Sequence, residues 1–152
     1  MLVGLTVHGQ RFVKYVDTVA DLKALNPNDV HKTVETLGYY AKGDGGGATY
    51  YYDSSSSATE NTGSHIKPTS FAGRWIIQPV AGGTSTKQWG IFPGTITESQ
   101  VTILNTAIAY NAANGLVTRL DTGEHRVQTN IVLVSNANLV GSPESSWLRD
   151  YT

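Results

Sequence analysis

The chain has 152 residues, of which 39% are hydrophobic and 15% are charged, a composition that suits one folded domain or two small ones. The 11 basic and 12 acidic side chains give a formal net charge of −1, which excludes the basic surface that nucleic acids and anionic membranes require. The absence of cysteine excludes disulfides and thiolate chemistry. We therefore expect no nucleic-acid partner, and no membrane insertion because no apolar run approaches the roughly 18 residues of a span.

The first quarter of the chain is predicted to contain an extended segment, a short helix and a strand. Residues 1–16 show no helical period and are typical of an extended N-terminal segment that lies against another part of the molecule. A helix is predicted to begin after Thr18, whose hydroxyl suits an N-cap, and to end before the Asn-Pro-Asn run at 26–28. The apolar stripe of this helix consists of Val19, Leu22 and Leu25. A longer strand is predicted over 30–41.

Residues 38–53 combine two aromatic runs with four glycines between them. Strand-forming residues joined by a turn that needs positive φ show this arrangement, so the stretch predicts a β-hairpin. Gly45 and Gly46 lie at its tip and are predicted to be structural, because a Cβ would be strained there. The three consecutive tyrosines of the second run point alternately to opposite faces, so both faces of the hairpin are expected to be aromatic.

The same glycines, at 43–48, loosely match the fingerprint of a dinucleotide-binding loop. That motif holds phosphate where the loop opens a helix, because the N-terminal amides of the helix face the pyrophosphate. Here a Thr-Tyr-Tyr-Tyr run follows, which is typical of a strand, and no Gly-Lys-Ser or Gly-Lys-Thr occurs. We therefore interpret the loop as a structural turn and predict no cofactor-binding residues.

A polar run and two strands complete the first half. Residues 54–64 are rich in Ser and Thr and predict an exposed, mobile loop. A short strand is predicted at 65–68, where proline ends it, and a stronger one at 73–78, where Trp75 and Ile77 share a face. Together with the helix, these elements predict a small α+β unit over 17–80.

The second half begins after a Gly-rich stretch at 81–86 that is interpreted as a linker. A capping box at 97–100 opens the best helix of the chain, and Asn114 with Gly115 ends it. Its predicted buried positions are Val101, Leu104, Ala107 and Ile108. Short strands separated by turn residues follow at 116–120, 126–127, 130–134 and 138–140, a spacing that suggests the coils of a solenoid.

Two blocks of the sequence resemble bacteriophage tailspike proteins. The first resembles the small domain ahead of the β-helix in these proteins and consists of residues 18–25, Leu-Gly-Tyr-Tyr at 37–40, Gly-Asp-Gly-Gly-Gly at 43–47, Tyr-Tyr-Tyr-Asp at 50–53 and Gly-Arg-Trp at 73–75. The second resembles the opening of the pectate-lyase-like right-handed β-helix and consists of residues 87–90, 104–108, 121–127 and 138–141.

The resemblance implies a mainly β fold with short helices. The residue patterns and the resemblance together predict an extended segment at 1–16, a small α+β domain at 17–80, a linker at 81–86, and at 87–152 the capping helix and first coils of a right-handed parallel β-helix. The sequence departs from the family at 90–98, where Gly-Ala-x-Gly-Asp-Gly and Asp-Asp-Thr are usual. The β-helix of the family runs through many coils and this chain holds about two, so we expect a truncated piece.

Asp121 and Glu124 are the nearest approach to the carboxylate pair that sugar hydrolysis requires. Asp121 precedes Thr-Gly in a predicted turn, where aspartate favours hydrogen bonds to local backbone, so a structural role is the preferred interpretation. His125 beside them is interpreted as packed or solvated rather than as a base. We predict no catalytic residue in this chain.

Metal ligands and sugar-stacking aromatics are the other candidates. No cysteine is present, and the histidines lack metal-site spacing; they are His8, His31, His65 and His125. We therefore predict no metal. Trp75, Trp89 and the tyrosine-rich hairpin could stack on sugar rings, but in a small domain they are expected to form the core.

The resemblance implies a virion tailspike segment, acting at the bacterial cell surface as a structural adaptor between the particle-proximal part and a receptor-binding, polysaccharide-depolymerising β-helix. The implied partners are a second and third copy in a homotrimer, other phage tail or baseplate proteins, and bacterial surface polysaccharide through the full-length protein. The alternative is a carbohydrate-binding or carbohydrate-cleaving domain with its site inside this chain. An exposed aromatic or acidic groove would favour the alternative, and aromatics buried under a trimer interface would favour the adaptor.

Overall fold

A five-stranded sheet and one short helix make up the first half of the computed structural model, which describes residues 13–30, 33–80, 82–127, 129–141 and 146–150. The strands are β1 (Lys14–Val16), β2 (Thr33–Thr36), β3 (Thr49–Asp53), β4 (His65–Ile66) and β5 (Arg74–Gln78), in the spatial order β1-β2-β3-β5-β4. β1 and β2 are parallel, and helix α1 (Val19–Ala24) connects them. The other pairs are antiparallel. We call this part the small-sheet region.

Helix α1 begins where the sequence predicts. The Thr18 hydroxyl accepts a hydrogen bond from the Asp21 amide at 3.1 Å, and the Asp21 carboxylate accepts from the Thr18 amide at 3.0 Å, which completes a capping box. The helix packs its apolar stripe on one face of the sheet. The resulting core contains Val19, Leu22, Val34, Ala48, Tyr50, Ile66, Trp75 and Ile77. The predicted strands at 65–68 and 73–78 are confirmed as β4 and β5.

The predicted hairpin is present, but its first strand is shorter than predicted. β2 pairs antiparallel with β3, with Glu35 opposite Thr49, and the strand ends at Thr36 rather than at Ala41. Residues 37–48 are irregular and form what we call the glycine loop. Strand pairing stops because a carboxylate within the loop binds the backbone N–H groups that a ladder would use. The prediction of a strand through residue 41 is therefore wrong.

The loop over 54–64 has no strand, as predicted, but it is less exposed than predicted. Ser64 is fully buried, and the Arg74 side chain donates from Nε to the Ala58 carbonyl at 2.5 Å. The Lys23 amine lies 2.7 Å from a Glu60 carboxylate oxygen. These contacts fix the loop to helix α1 and strand β5.

Two three-stranded parallel sheets and a long helix form the second half, which we call the parallel region. One sheet has the order β10-β8-β6 and the other β11-β9-β7. Their strands are β6 (Gly83–Ser85), β7 (Gly94–Ile96), β8 (Val117–Leu120), β9 (Gly123–Val127), β10 (Leu139–Gly141) and β11 (Ser146–Asp150). The chain alternates between the sheets from β6 to β11, so each strand lies beside the one two places earlier. A 3-10 helix, Thr86–Trp89, follows β6.

Helix α2 (Glu98–Ala113) confirms the predicted helix and its buried positions. Thr97 and Gln100 form the capping box, and the helix ends at Asn114, followed by Gly115 at a φ of +65°. The core under the helix contains Trp89, Ile91, Val101, Leu104, Ala107, Ile108 and Val127. None of the described helices is long and apolar enough to span a membrane.

Three other expectations for the second half are corrected. The stretch interpreted as a linker contains strand β6, in which Gly83 and Thr84 are buried. The strand predicted at 126–127 begins earlier, at Gly123, and the predicted strand at 130–134 is absent. Residues 129–138 lie between β9 and β10, as α2 lies between β7 and β8, and Val132 donates its N–H to the Asn105 side chain of that helix at 2.8 Å. A helix offers no ladder for pairing, so this segment forms no strand within the described chain.

Candidate functional site at the joint between the two regions

The glycine loop is organised around the carboxylate of Asp44. Its two oxygens accept hydrogen bonds from the backbone N–H groups of Tyr39 at 2.9 Å, Tyr40 at 2.8 Å, Ala41 at 3.0 Å and Gly46 at 2.8 Å. Partial burial opposes ionisation of this carboxyl, but the four N–H donors outweigh it and lower the pKa of Asp44 to about 2. The loop therefore folds around a permanent negative charge at neutral pH.

Two tyrosines of the loop extend toward the parallel region. The Tyr39 hydroxyl donates to the Thr62 carbonyl at 2.9 Å, and the Tyr40 hydroxyl donates to the Gly90 carbonyl at 3.1 Å. The two rings meet edge to face with centroids 4.7 Å apart. Burial raises the pKa of Tyr39 to about 12, so its phenol stays protonated and remains a donor.

Two glycines allow the regions to approach closely. A Cβ on Gly63, in the small-sheet region, would lie 2.1 Å from Cδ2 of the Trp89 indole. A Cβ on Gly90, in the parallel region, would lie 2.6 Å from Cε1 of Tyr39, and Gly90 also has a φ of +78°. Each region thus places a glycine against an aromatic ring of the other, and any larger residue would separate them.

Gln88 connects the 3-10 helix to the glycine loop. Its amide nitrogen donates to the Gly47 carbonyl at 3.0 Å, and its amide oxygen accepts from the Ser85 N–H at 3.0 Å. The second bond also caps the start of the 3-10 helix. One side chain therefore satisfies a helix end in the parallel region and a backbone carbonyl in the small-sheet region.

Behind this contact, the Trp89 ring is held from the parallel side. Its Nε1 donates to the Thr84 hydroxyl at 2.9 Å, and Nδ2 of Asn111 donates to the same hydroxyl and to that of Thr118, each at 2.8 Å. All four residues are buried. Tyr110 of α2 packs against both cores and is therefore shared by the two regions. We use the term joint for the contacts that the glycine loop, Thr62 and Gly63 make with residues 87–92 and with Tyr110.

The candidate carboxylates, Asp121 directly after β8 and Glu124 within β9, are engaged in structural contacts. An oxygen of Asp121 accepts from the Thr86 hydroxyl at 3.0 Å and from the Lys87 N–H at 3.1 Å, so this carboxylate binds the first turn of the 3-10 helix. Glu124 accepts from Nε of Arg126 at 3.0 Å. His125 is fully buried, with Nε2 3.1 Å from the Asp121 carbonyl oxygen. These contacts are consistent with the structural interpretation of all three residues.

The aromatic candidates divide into buried and exposed sets. Trp75, Trp89 and Tyr50 are fully buried and cannot stack on a sugar. Tyr40 is 65% exposed, and the centroid of its ring lies 5.6 Å from that of Phe92. This pair is the aromatic surface that the joint leaves accessible.

A cavity of about 400 Å³ lies beside the glycine loop, lined in part by Glu35, Gly43 and Gln78. The loop N–H groups that a phosphate would need bind Asp44 instead, and the Glu35 carboxylate disfavours an anion. Strand β3 follows the loop, which agrees with the structural interpretation of the glycines. Among the described residues, no group of three His, Asp or Glu side chains is placed to hold a metal ion.

Residues 15–79 match the family model of the phage tail protein small four-stranded β-sheet domain. This part of the chain is therefore similar to the phage tail β-sheet domain. The match spans the sheet from β1 to β5, so the domain contains the glycine loop and Asp44. The sheet of this chain has five strands, of which β1 and β4 are the shortest.

Solved structures extend the similarity into the parallel region. The tailspike protein gp49 of Acinetobacter baumannii bacteriophage Fri1, a capsular polysaccharide depolymerase, is 27% identical with a TM-score of 0.71, over 85% of this chain and 23% of that one. The tailspike of Acinetobacter baumannii phage AM24 is 16% identical with a TM-score of 0.66, and the match covers 88% of this chain and 23% of that one. WceF of Pantoea stewartii is 11% identical with a TM-score of 0.56, and the match covers 88% of this chain and 22% of that one. It is a glycan biofilm modifying enzyme with a bacteriophage tailspike-like parallel β-helix fold. No curated protein matches the sequence.

The chain has the fold of part of a phage tailspike and spans about a quarter or less of the length of these relatives. The Gly-Asp-Gly-Gly-Gly run indicated the loop that resembles the phage tail β-sheet domain. It did not indicate that Asp44 organises this loop. The roles of Gly63, Gln88 and Gly90 were missed, because each depends on a partner in the other region. Two of them have local signals. Gln88 completes the Ser-x-x-Gln spacing of 85–88, which is a capping box in sequence form, and Gly90 directly follows Trp89.

Proposed function

We propose that this chain is a structural adaptor of a phage tailspike, joining the particle-proximal part of the spike to a β-helix that acts on bacterial surface polysaccharide. The observation that carries the proposal is the joint. Gly63 on Trp89, Gly90 on Tyr39, and the hydrogen bonds of Tyr40 and Gln88 connect the phage tail β-sheet domain to the parallel region. Close packing of this kind transmits force and orientation between two regions, as an adaptor must.

The parallel region is proposed to be the start of a right-handed β-helix. The alternation of β6 to β11 between two sheets gives successive turns that stack in parallel register, with Gly83 beside Val117 and Thr118 beside Leu139. Helix α2 covers the first turn of the core, as a capping helix would. The proposed domains are the small α+β domain at 17–80 and the β-helix from Gly83 onward. Residues 1–12 of the extended segment predicted at 1–16 lie outside the described residues.

A homotrimer located on the virion is the proposed assembly. Apolar side chains that two turns of a solenoid leave uncovered support it: Val132 is 54% exposed, Leu133 is 64% exposed and Val134 is 39% exposed. The further proposed partners are other tail or baseplate proteins and, through the full-length protein, bacterial polysaccharide. The fully buried Trp75 and Trp89, and the structural contacts of Asp121, give the carbohydrate-site alternative little support.

Deletion of residues 15–79 from the full-length spike tests the adaptor role. The shortened spike should still degrade the surface polysaccharide when it is free in solution, and it should be missing from purified particles by quantitative mass spectrometry. A full-length spike carrying Asp121→Asn and Glu124→Gln is the matched control and should keep both properties. Normal incorporation into particles together with loss of polysaccharide degradation would contradict the adaptor role and favour a site inside this domain.

A further inference from the structure

We infer that Asp44 is the positioning residue of the joint: its carboxylate holds the glycine loop in the one shape that lets the two regions interlock. This inference goes beyond the proposed adaptor role, because it concerns how the chain fixes the orientation of its two regions, whatever they are attached to. All of the hydrogen bonds described for the Asp44 side chain are made inside the small-sheet region. Its effect on the parallel region is therefore indirect.

Of the four residues whose N–H groups bind Asp44, three contact the parallel region directly. Tyr39 places its ring against Gly90, Tyr40 donates to the Gly90 carbonyl at 3.1 Å, and a Cβ on Gly46 would lie 2.6 Å from the Lys87 carbonyl oxygen. One carboxylate thus fixes the backbone at these three points of contact.

The other bonds that hold the loop to the sheet lie toward its ends, such as Leu37 to the Val16 carbonyl at 2.9 Å and Ala48 to the Thr36 hydroxyl at 3.0 Å. Inside the glycine loop the described backbone bonds are Gly43 to the Leu37 carbonyl at 2.9 Å and Asp44 to the Ala41 carbonyl at 3.1 Å. Asp44 adds four more, each to a charged acceptor and so stronger than a neutral bond. An asparagine keeps the shape of the side chain but has one acceptor oxygen in place of two and no charge, so it cannot satisfy the four donors.

A double-mutant cycle between Asp44→Asn and Tyr40→Phe tests the inference, with urea unfolding of the full chain as the measurement. Tyr40→Phe removes only the hydroxyl that reaches Gly90. In the Asp44→Asn background it should shift the urea midpoint by less than half of the shift it causes in the wild-type chain, because the contact is already lost. Asp53→Asn, on β3, is the matched control, and in that background the full shift should remain. Equal shifts in all three backgrounds would overturn the inference.

Hydrogen exchange measured by mass spectrometry gives a second readout that a purely local role would not change. Asp44→Asn should raise exchange in peptides covering 37–47 and also 86–92, while strands β3 and β5 keep their wild-type protection. A change confined to 37–47 would overturn the inference. Asp44→Glu, which keeps the charge but displaces the oxygens, should give the same pattern. Loss of folding in both variants would also overturn it, since Asp44 would then be required for the fold as a whole.

Discussion

The carboxylate of Asp44 shows how one side chain can replace a stretch of β-ladder. It binds four backbone N–H groups, and its pKa falls from 3.8 to about 2 in the folded chain. A carboxyl with a depressed pKa stabilises the fold at pH values above its unfolded pKa, and this contribution disappears as the pH falls through the folded pKa. The residue thus couples the stability of the loop to acidity.

We predict that the contribution of Asp44 is fully present above about pH 4 to 5 and is lost between there and pH 2. Melting temperature measured against pH should therefore fall less steeply over this window in Asp44→Asn than in the wild-type chain. Because the other carboxyls titrate in both proteins, the difference between the two curves isolates Asp44. Parallel curves would mean that the four hydrogen bonds do not favour the ionised form.

Gly45 and Gly46 are adjacent but are constrained for different reasons. Gly45 has a φ of +86°, whereas Gly46 is not among the positive-φ glycines, so the predicted positive φ is wrong for Gly46. A Cβ on Gly46 would instead meet the Lys87 carbonyl oxygen and Tyr39 Cβ, each at 2.6 Å. Gly46 is structural because the backbone at Lys87 and the backbone and Cβ of Tyr39 need its space.

Alanine at each position separates the two effects. Gly45→Ala should cost about 1 kcal/mol, the strain of a left-handed backbone with a side chain. Gly46→Ala should lower the free energy of unfolding by several times as much, because backbone atoms of both regions must move. Urea unfolding of the two variants measures the difference. Equal costs would show that the loop moves freely away from Lys87.

At the scale of elements, both helices were predictable because their signals are local. The capping boxes at Thr18 and Thr97 and the apolar spacing of α2 lie within a few residues of one another. The strand predicted at 130–134 failed because its neighbour in the fold is α2, which no local pattern reveals. Strands β6 and β7 were missed because each has three residues, and in β6 these are Gly, Thr and Ser.

The N-cap of α2 gives a prediction at this scale. Thr97→Ala removes the cap and should lower the free energy of unfolding by about 1 kcal/mol. Thr102→Ala, on the same helix, is the matched control, since the Thr102 hydroxyl is bonded to the Glu98 carbonyl in an exposed position. That change should be neutral or slightly stabilising, because alanine has the higher helix propensity. Thermal unfolding followed by circular dichroism measures both changes. Equal stabilities of the two variants would contradict the prediction.

At the scale of the whole molecule, the joint was the part least accessible from sequence. Gly63 and Trp89 are far apart in the chain, and neither residue type alone signals that the other packs on it. The same holds for Tyr40 and Gly90. The resemblance of two sequence blocks to tailspike proteins indicated both regions, while their contact depends on the tertiary fold.

The apolar segment at 132–134 leads to a prediction about assembly. If these exposed side chains are covered by neighbouring copies, the chain should form a homotrimer in solution. Light scattering across micromolar concentrations should give three times the monomer mass, and Leu133→Glu should lower it. A monomer at every concentration would contradict the proposed trimer.

The adaptor account is tested most directly by polysaccharide cleavage. Cleavage needs acid and base groups placed around a bound sugar, and here Asp121 holds the 3-10 helix while Glu124 pairs with Arg126. The purified 152-residue chain should be incubated with capsular and lipopolysaccharide preparations from a panel of bacteria, beside the full-length spike. We predict that the full-length spike releases reducing ends or unsaturated products and that this chain releases none. Release by the chain that disappears in the Asp121→Asn, Glu124→Gln variant would contradict the account.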